Sequence, residues 1–453
     1  MNHPARAVPP PINAPPPISA PPRAGMDPEI EAGAHLLLTI GRRLLGDGAE
    51  TEQVATTIDR VARSLGYEAH LLVTYEALLL TLMSGAVSDE RFRTKAGRHL
   101  PGFGVNMRAV EAIDRVVADL VASRIGVEEA TRQLDAAEPA PYPRLLIALA
   151  MGVTAACLAR LFGGDPAACA TAGVAGTVGT LLRLMLVGHA VNPFLIAFLA
   201  ALIGGLVGAI GADLTATATA ALCVIAPSMI LVPGVPLING VWDCARNHMS
   251  LGVARLTAAL LTVLAIATGL FCVTIITRVP VPIGGALTLL PLWQDALFAG
   301  IAAVGFALLF NVPPRLIWAA VLCGAVSHAL RTQAMMVGAA LAPATLIGSA
   351  GAGVLALALA WRFRVPPAAF AFPGVVAMVP GSFAFRAVIG AIGIVQAGDG
   401  ASPHLLAETI ALTVGSALAM AAIAVGLALP LALMTMVRAD ETDSHRQTGR
   451  PGR

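Results

Sequence analysis

Residues 227–234 (PSMILVPG) and 373–381 (PGVVAMVPG) decide the fold, because each places a proline-glycine pair inside an apolar segment of membrane length. Proline removes a backbone hydrogen-bond donor and clashes with the preceding turn, so each pair interrupts a helix. The pairs Pro233-Gly234 and Pro380-Gly381 end the two stretches in the same way. An interrupted apolar helix that occurs twice is typical of a transporter built from two repeats, with its substrate site near the bilayer midplane.

The repetition extends to the helices that precede each break. Phe162 recurs as Phe310 and Arg183 as Arg331, both at an offset of 148 residues. The further residues that recur at this offset are Leu161, Pro166, Gly176, Val178 and Leu182, as Leu309, Pro314, Gly324, Val326 and Leu330. The hydrophobic part of the chain is therefore predicted to be one structural unit that is present twice.

The composition indicates a polytopic membrane protein. Hydrophobic residues make up 57% of the chain and charged residues 12%, and the mean hydropathy is +0.78; soluble domains carry about twice that share of charge. Of the 27 acidic residues, 18 lie between Asp27 and Glu138 and only six between Leu145 and Val437. A polar module followed by a membrane module is therefore expected. The net charge of +2 and the single lysine, Lys95, argue against nucleic-acid binding and against a polybasic lipid patch.

These patterns divide the chain into five parts. Residues 1–26 are rich in proline and alanine and predict a disordered extension. Residues 27–143 predict a small soluble α+β domain, with four helical stretches and one or two strands over 67–83. The remaining parts are a first membrane repeat over 144–278, a second over 279–437 and a polar tail over 438–453.

About ten transmembrane helices are predicted, five in each repeat, since a span needs about 20 apolar residues. An odd number makes the second repeat enter the membrane from the opposite side, so the repeats are expected to be inverted. With the soluble domain and both termini in the cytoplasm, eight arginines fall near inner ends of spans and four near outer ends, which is the direction of the positive-inside rule. The predicted spans are 145–162, 166–187, 192–211, 214–233 and 251–277, then 293–310, 315–335, 343–361, 366–380 and 404–436.

The segments after the breaks, 234–251 and 381–396, are too long for tight turns and too apolar for simple loops. A half-helix that re-enters the protein there would expose free backbone amides and carbonyls for binding. In the first segment Asn239 and Asp243 share a helix face, and a carboxylate inside a membrane is a functional candidate by default. The sequence leaves open an alternative, in which Asp243 forms a surface ion pair with Arg246.

The order of the motifs resembles the bacterial threonine/serine exporter family. The residues that carry the resemblance are 45–51 (LGDGAET), Arg60, Leu65-Gly66, 232–234, 238–243 and 252–255 in the first half, and Gly324, His328, Arg331 and 379–382 in the second. The resemblance covers nearly the whole chain except the proline-rich start and the polar tail. It implies a ten-span protein of the bacterial inner membrane, with a cytoplasmic N-terminal domain, that exports small hydroxy amino acids at the expense of the proton motive force. It also implies an alternative, export of a succinate-like dicarboxylate, because similar proteins built from two separate chains are associated with that activity.

The candidate binding residues come from these segments and from the resemblance. An amino acid carries an ammonium and a carboxylate, so Asp243 is the candidate partner of the first, and Arg386 or a helix N-terminus after a break is the candidate partner of the second. His328, about one turn before Arg331, is the candidate proton acceptor, although a structural role explains these residues equally well. The full set of candidate substrate- or ion-binding residues is Pro233, Gly234, Asn239, Asp243, Arg255, His328, Arg331, Pro380, Gly381 and Arg386.

The sequence contains no nucleotide-binding motif, so export would draw on an ion gradient, with protons as the favoured coupling ion. The competing class is a membrane-anchored hydrolase with the soluble domain as its catalytic part. The chain lacks a Gly-x-Ser-x-Gly elbow, a His-Glu-x-x-His pair and a clustered His/Cys metal set. We therefore expect a transporter of a small molecule in the lipid bilayer, not an enzyme, and no cofactor or metal. Whether it forms a homo-oligomer stays open.

Overall fold

The computed structural model describes residues 28–84, 92–98, 105–136, 139–189, 191–279, 281, 288–363 and 365–448. The predicted disordered extension, residues 1–26, lies outside them, as do residues 449–453 of the predicted tail. The helices and strands, in chain order, are α1 (Pro28–Gly46), α2 (Thr51–Ser64), β1 (Tyr67–Val73), β2 (Ala77–Ser84), β3 (Phe92–Arg98), α3 (Met107–Val121), α4 (Val127–Ala136), α5 (Arg144–Leu161), α6 (Pro166–Leu186), α7 (Pro193–Thr215), α8 (Ala220–Met229), α9 (Gly234–Ala245), α10 (Met249–Thr277), α11 (Leu292–Leu309), α12 (Ile317–Met336), α13 (Leu341–Phe363), α14 (Ala368–Val375), α15 (Gly381–Ala397) and α16 (Pro403–Thr448).

The segment from α1 to α4, called the N-terminal domain below, builds a core of its own. The three strands form an antiparallel sheet in the order β1-β2-β3. Leu78, Leu80 and Leu82 of β2 are fully buried, because alternate residues of a strand point to the same face. They belong to one apolar cluster with Leu37 and Leu44 of α1, so the helix covers this face of the sheet.

One strand of this sheet was not predicted. The structure has β1 and β2 within the stretch that the sequence predicts as one or two strands, and it adds β3. The side chains of β3 are largely polar, so the strand lacks the apolar alternation that predicts a strand from sequence. Arg93 and Lys95 both form ion pairs with Glu31 of α1, at 2.5 and 2.6 Å. Ion pairs to α1 therefore take the place of the apolar alternation by which a strand is usually recognised.

The remaining helices form a polytopic helical membrane protein. Among the described residues, eight helices are long and apolar enough to cross a membrane, or nine if α8 and α9, bent by 56° at their junction, are one span. Large apolar side chains are exposed along their outer faces, for example Leu149 and Val153 of α5 and Leu260 and Ile275 of α10. Lipid is the environment in which such faces are stable. Ten spans and an inverted arrangement remain predictions. The predicted span 366–380 is wrong, because the apolar helix there, Ala368–Met378, is too short to cross a membrane, and Gly381–Gly400, predicted as a re-entrant half-helix, is a candidate span instead.

The membrane helices fall into two sets that pack in the same way. In the first set α5 packs on α6, α6 on α7, α7 on α10, and the short α8 on all of α5, α6 and α7. In the second set α11, α12, α13, α16 and α14 repeat these contacts in the same order. Between the sets, α5 packs on α11, while α9 and α10 pack on α16 and α15. The two sets therefore repeat the same order of helix contacts.

The helices define two faces of the membrane part. Helix α5 begins next to the N-terminal domain and, with 18 residues, ends about 27 Å away. There Arg160 Nη2 donates to Gln294 Oε1 at 2.9 Å, near the start of α11. Helix α11 then returns to the domain, where the Phe310 carbonyl accepts a hydrogen bond from the Met107 amide. We call these the far face and the domain face.

Small residues let the membrane helices approach closely, as membrane packing requires. Thr154 Oγ1 of α5 donates to the Ala302 carbonyl of α11 at 3.1 Å. A Cβ added to Gly208 of α7 would lie 2.0 Å from the Cys223 carbonyl oxygen of α8. The backbones of α7 and α8 are therefore in contact, with no room for a side chain.

Gly208→Ala is expected to destabilise the protein by about 1–3 kcal/mol, since the new methyl group collides with the α8 backbone. Gly415→Ala in α16 is the control, because a Cβ there meets nothing within 4 Å and alanine favours a helix over glycine by up to about 1 kcal/mol. Thermal unfolding in detergent measures both variants. A Gly208→Ala melting temperature equal to that of the wild type would contradict the close approach of α7 and α8.

Candidate functional site

A pocket lies at the far face. It is enclosed by the last turns of α5 and α12, the first turns of α11 and α13, and the break that precedes α15. Its lining residues are Leu161, Phe162, Thr288, Leu289, Asp295, Arg331, Thr332, Met335, Leu341, Ala377, Met378, Val379, Pro380, Phe383 and Ala419.

Three ionisable residues form the polar side of this pocket. Asp295 and Arg331 line it, and His328 lies behind them with 1% of its surface exposed. His328 Nδ1 is 3.4 Å from Asp295 Oδ1 and 3.3 Å from Arg331 Nη2. Asp295 Oδ2 is also 3.4 Å from His328 Nδ1, whereas Arg331 Nε has no hydrogen-bond partner among the described residues. Because buried polar atoms are normally paired, Arg331 Nε indicates a place where a ligand or water binds.

Local structure explains how the three side chains come together. Asp295 lies in the first turn of α11, where the positive end of the helix dipole stabilises a carboxylate. His328 and Arg331 are three residues apart on α12 and share a face. A Cβ on Gly348 of α13 would lie 2.4 Å from the Ser327 carbonyl oxygen and 3.1 Å from Arg331 Cβ. The absence of a side chain at Gly348 therefore lets α13 hold this part of α12 in place.

The two Pro-Gly breaks have the same backbone conformation. Pro233 has φ −78° and ψ 67°, and Pro380 has φ −77° and ψ 49°. The amide of Gly234 donates to the carbonyl two residues before it at 2.8 Å, and the amide of Gly381 does the same at 2.7 Å. Each proline is thus the central residue of an inverse γ-turn, which ends one helix and starts the next in a new direction.

The breaks also pack on one another. A Cβ on Gly234 would lie 3.3 Å from Val379 Cγ2, and a Cβ on Gly381 would lie 2.5 Å from Val232 Cγ2. A valine of each break therefore packs against the glycine of the opposite break. Val379 and Pro380 line the pocket at the same time, so the paired breaks form its inner end.

A second polar cluster lies at the domain face. Asp243, 3% exposed, is 2.5 Å from Arg255 Nη1, which also donates to Thr51 Oγ1 at 3.2 Å. Asn239 Nδ2 donates to the Gly48 carbonyl at 3.4 Å. Residues of α9 and α10 are thus joined to the loop between α1 and α2 of the N-terminal domain.

Neighbouring charges complete this contact. Arg246 Nη1 is 3.3 Å from Glu50 Oε2, so the described residues pair Arg246 with Glu50 and not with Asp243, the alternative that the sequence left open. Burial raises the pKa of Glu50 to about 7, although Arg246 acts against that rise. Glu50 therefore changes its charge near neutral pH.

Arg386, the predicted partner of a substrate carboxylate, is not among the residues that line the pocket. It lies on α15, close enough to Glu408 of α16 for their charges to interact. Asn239 holds the corresponding place in α9, five residues after Gly234. The two sets thus carry different polar residues at this position.

Comparison with known proteins identifies the family. Residues 35–277 match the family described as "Putative threonine/serine exporter", and residues 295–437 match the family described as "Threonine/Serine exporter, ThrE". The chain belongs to the threonine/serine exporter family. This confirms the resemblance drawn from the motifs, and it makes the chain a multi-pass membrane protein of a transporter family.

Curated relatives of this exporter-family chain include proteins with a different named substrate. The "Probable succinate transporter subunit YjjP" of Klebsiella aerogenes is 28% identical over 53% of this chain and 92% of its own length. Its namesake in Escherichia coli is 28% identical over 52% of this chain and 90% of its own length. An uncharacterized protein of Haemophilus influenzae is 34% identical over 32% of this chain and 49% of its own length. No solved structure matches the chain.

The predicted site residues of the exporter chain lie in separate places. Three of them lie at the pocket: His328, Arg331 and Pro380. Three lie at the paired breaks, namely Pro233, Gly234 and Gly381. Three more lie at the domain face, namely Asn239, Asp243 and Arg255, and Arg386 lies near Glu408. The structure therefore does not join Asp243 to the pocket.

Sequence reasoning missed Asp295 and Thr332, which line the pocket. A signal for Asp295 was available: it is one of six acidic residues between Leu145 and Val437, and the offset of 148 places it opposite an isoleucine, Ile147. A charge at an otherwise apolar repeat position is a candidate for function. Among the described residues there is no group of three or more His, Cys, Asp or Glu that could hold a metal ion.

Proposed function

We propose that this chain is a secondary transporter that exports small hydroxy amino acids of the threonine and serine type across the bacterial inner membrane. One observation carries the proposal: one carboxylate, Asp295, and one guanidinium, Arg331, line the same pocket. A zwitterionic amino acid has the complementary pair of charges. Membership of a transporter family favours this function over a membrane-anchored hydrolase.

The substrate carboxylate lies against Arg331, whose parallel N–H groups suit a carboxylate. The N-terminus of α15, which starts at the pocket wall with Pro380, adds the positive end of a helix dipole. The ammonium lies against Asp295, and the hydroxyl of Thr332 in the same wall is a partner for the substrate hydroxyl. Asp243 is a weaker candidate for the ammonium, since Arg255 already neutralises it at 2.5 Å.

A dicarboxylate is the second candidate substrate, because two relatives are named as subunits of a succinate transporter. Such a substrate has two negative charges. Arg331 would bind one of them, and Asp295 would repel the other, which favours a zwitterion at this pocket.

Asp295→Asn separates the two substrates. We expect it to lower threonine and serine transport by about 10–100-fold, because an ionic hydrogen bond to the ammonium is lost, whereas Arg331→Gln should impair every carboxylate substrate. The measurement is counterflow of labelled threonine, serine and succinate in proteoliposomes.

Asp213→Asn is the matched control, since Asp213 is an exposed carboxylate at the end of α7, outside the pocket. Asp243→Asn tests the competing position of the ammonium. Threonine counterflow that survives in Asp295→Asn but is lost in Asp243→Asn would overturn the assignment. A wild type that moves succinate alone would establish the dicarboxylate.

Protons are the proposed coupling ion, with His328 as their carrier. When the imidazole is neutral, Nδ1 can accept a hydrogen bond from Arg331; when it is protonated, Nδ1–H can donate to Asp295 instead. A proton that arrives from outside therefore engages Asp295 and removes the partner of the substrate ammonium. Release of the substrate outward is thereby linked to entry of a proton.

His328→Gln should uncouple transport, because glutamine keeps a polar side chain but cannot carry the proton. We expect accumulation of threonine driven by a pH gradient to fall at least about tenfold, while counterflow without a gradient stays within a few-fold of the wild type. Both are measured in the same proteoliposomes. Gradient-driven accumulation that is unchanged in His328→Gln would exclude His328 as the proton carrier.

We further propose ten spans in two inverted repeats, with both termini in the cytoplasm. The eight candidate spans become nine when the bent α8–α9 pair is one span, and α12, packed between α11 and α13, becomes the tenth. The equivalent contacts of the two sets support the repeat, and an odd number of spans per set makes it inverted.

A reporter enzyme fused after Arg278 is expected on the periplasmic side, since α10 leads from the domain face to the far face. A reporter fused after Asp440 is expected in the cytoplasm. Alkaline phosphatase and fluorescent-protein fusions at each position measure the two sides. The same side for both positions would contradict an odd number of spans between them.

A further inference from the structure

The loop between α1 and α2, residues 47–50, is a part of the N-terminal domain that contacts the membrane helices. Together with Thr51, the first residue of α2, it binds one side chain of α9, one of α10 and one of the turn between them. The contacts are Asn239 Nδ2 to the Gly48 carbonyl at 3.4 Å, Arg246 to Glu50 at 3.3 Å and Arg255 to Thr51 Oγ1 at 3.2 Å. We call residues 47–51 the domain loop.

The domain loop ends close to the paired breaks. Asn239 lies five residues after Gly234 in α9, about 7.5 Å along the helix axis. Gly234 contacts Val379, and Val379 lines the pocket. One continuous line of contacts therefore leads from the pocket, through the paired breaks, to the domain loop.

A second segment of the N-terminal domain supports the loop from the side. The amides of Met107 and Arg108 donate to the carbonyls of Phe310 and Asn311 at 2.9 and 3.2 Å. Val105 and Met107 are buried in the same apolar cluster as Phe310. A Cβ on Gly48, which has φ +88°, would lie 3.0 Å from Val105 Cγ2. The loop and this segment thus contact one another, and both pack on the domain face of the helices.

We propose that the N-terminal domain is the inner gate of the transport pathway, and that the domain loop must withdraw from α9 and α10 before a cytoplasmic substrate can reach the paired breaks. The inference rests on the proposed transport function and adds a role for the domain to it. In the conformation seen here the pocket lies at the far face, while the domain loop contacts Asn239, Arg246 and Arg255 at the domain face. A transporter of this kind exposes its site to one side at a time.

The contacts of the domain loop suit a gate that opens, because they are polar and few. Glu50 is buried among Arg246, Asp243 and Glu52, and its side chain is 17% exposed. Burial raises its pKa to about 7 in the closed arrangement, whereas a solvated glutamate titrates near 4.3. The closed gate therefore binds a proton more tightly than the open gate, and closure weakens as the pH rises from about 4.5 to about 7.

A reversible cross-link tests the gate. In a chain whose six native cysteines are replaced, Glu50→Cys and Arg246→Cys are joined by a short bis-methanethiosulfonate, which forms a mixed disulfide with each thiol, releases methanesulfinate and is cleaved by a reducing agent. Threonine efflux from proteoliposomes should fall at least about tenfold and return when the reagent is cleaved. The matched control is Arg43→Cys with Asp135→Cys, an ion pair of 3.4 Å that lies within the N-terminal domain and should tolerate the same cross-link.

The outcomes separate the gate from the transport function. If positions 50 and 246 are cross-linked and threonine efflux continues at the rate of the uncross-linked protein, the gate proposal would be overturned. The proposed transport function would be unaffected by that result. If the cysteine-replaced parent moves none of the labelled substrates, that result would count against the transport function. The gate is then tested without transport, by the rate at which a single cysteine reacts with a maleimide.

That cysteine is placed at Val235, which is buried next to Gly234. In inside-out vesicles, its reaction rate with an impermeant maleimide is compared between Glu50 and Glu50→Gln backgrounds at pH 5.5 and pH 8. The rate in the Glu50 background divided by the rate in the Glu50→Gln background should be about tenfold or more higher at pH 8 than at pH 5.5. The reason is that glutamine imitates the protonated carboxyl and keeps the gate closed at both pH values. Dividing by the Glu50→Gln rate removes the thiol's own pH dependence. An equal ratio at both pH values would overturn the inference.

Discussion

The contact between the two Pro-Gly breaks is the constraint on which the rest of the membrane structure depends. Gly234 and Gly381 lack side chains, so a valine of each break can pack over the other. A larger residue at either position would force the two helix sets apart, and overpacked interiors are costly. The prolines fix the direction in which α9 leads to the domain face. The pocket and the domain loop then lie on opposite sides of this one contact, because Pro380 forms the wall of the first and Asn239 binds the second.

Buried charges are treated differently on the two sides of this contact. At the domain face, Asp243 has Arg255, and Glu50 has Arg246. A buried ion pair whose partners satisfy one another gains nothing from a ligand that takes one partner away, because the remaining charge is left uncompensated. At the pocket, Arg331 Nε has no hydrogen-bond partner among the described residues. This difference favours the pocket over the domain face as the proposed place of a charged ligand, while Asn239 and Arg255 join α9 and α10 to the domain loop.

Much of this architecture could be predicted from the sequence. The helices of the N-terminal domain and the two breaks follow from periodicity and from proline, since both signals are local in the chain. What could not be predicted depends on contacts between distant residues. Strand β3 is held by ion pairs to α1, and Arg255 neutralises Asp243 from the next helix, where sequence spacing suggests Arg246 instead. The domain loop carried a recognisable motif, but nothing in its residues indicates that Asn239 lies against it.

The two helix sets share a scaffold but not a site. The offset of 148 residues pairs Asp295 with Ile147, His328 with Thr180, and Arg331 with Arg183. Only the guanidinium is present in both sets, so only the second can hold an acid and a guanidinium that both lie within 3.4 Å of one imidazole. Close helix packing needs small residues at equivalent positions of the two sets. Gly176 and Gly324 are such a pair, because each contacts an alanine of the preceding helix. No such equivalence is kept at Asp295 and His328, whose counterparts are Ile147 and Thr180. The repeat therefore preserves what lets the helices pack, and the positions at which its copies differ include residues that are proposed to bind.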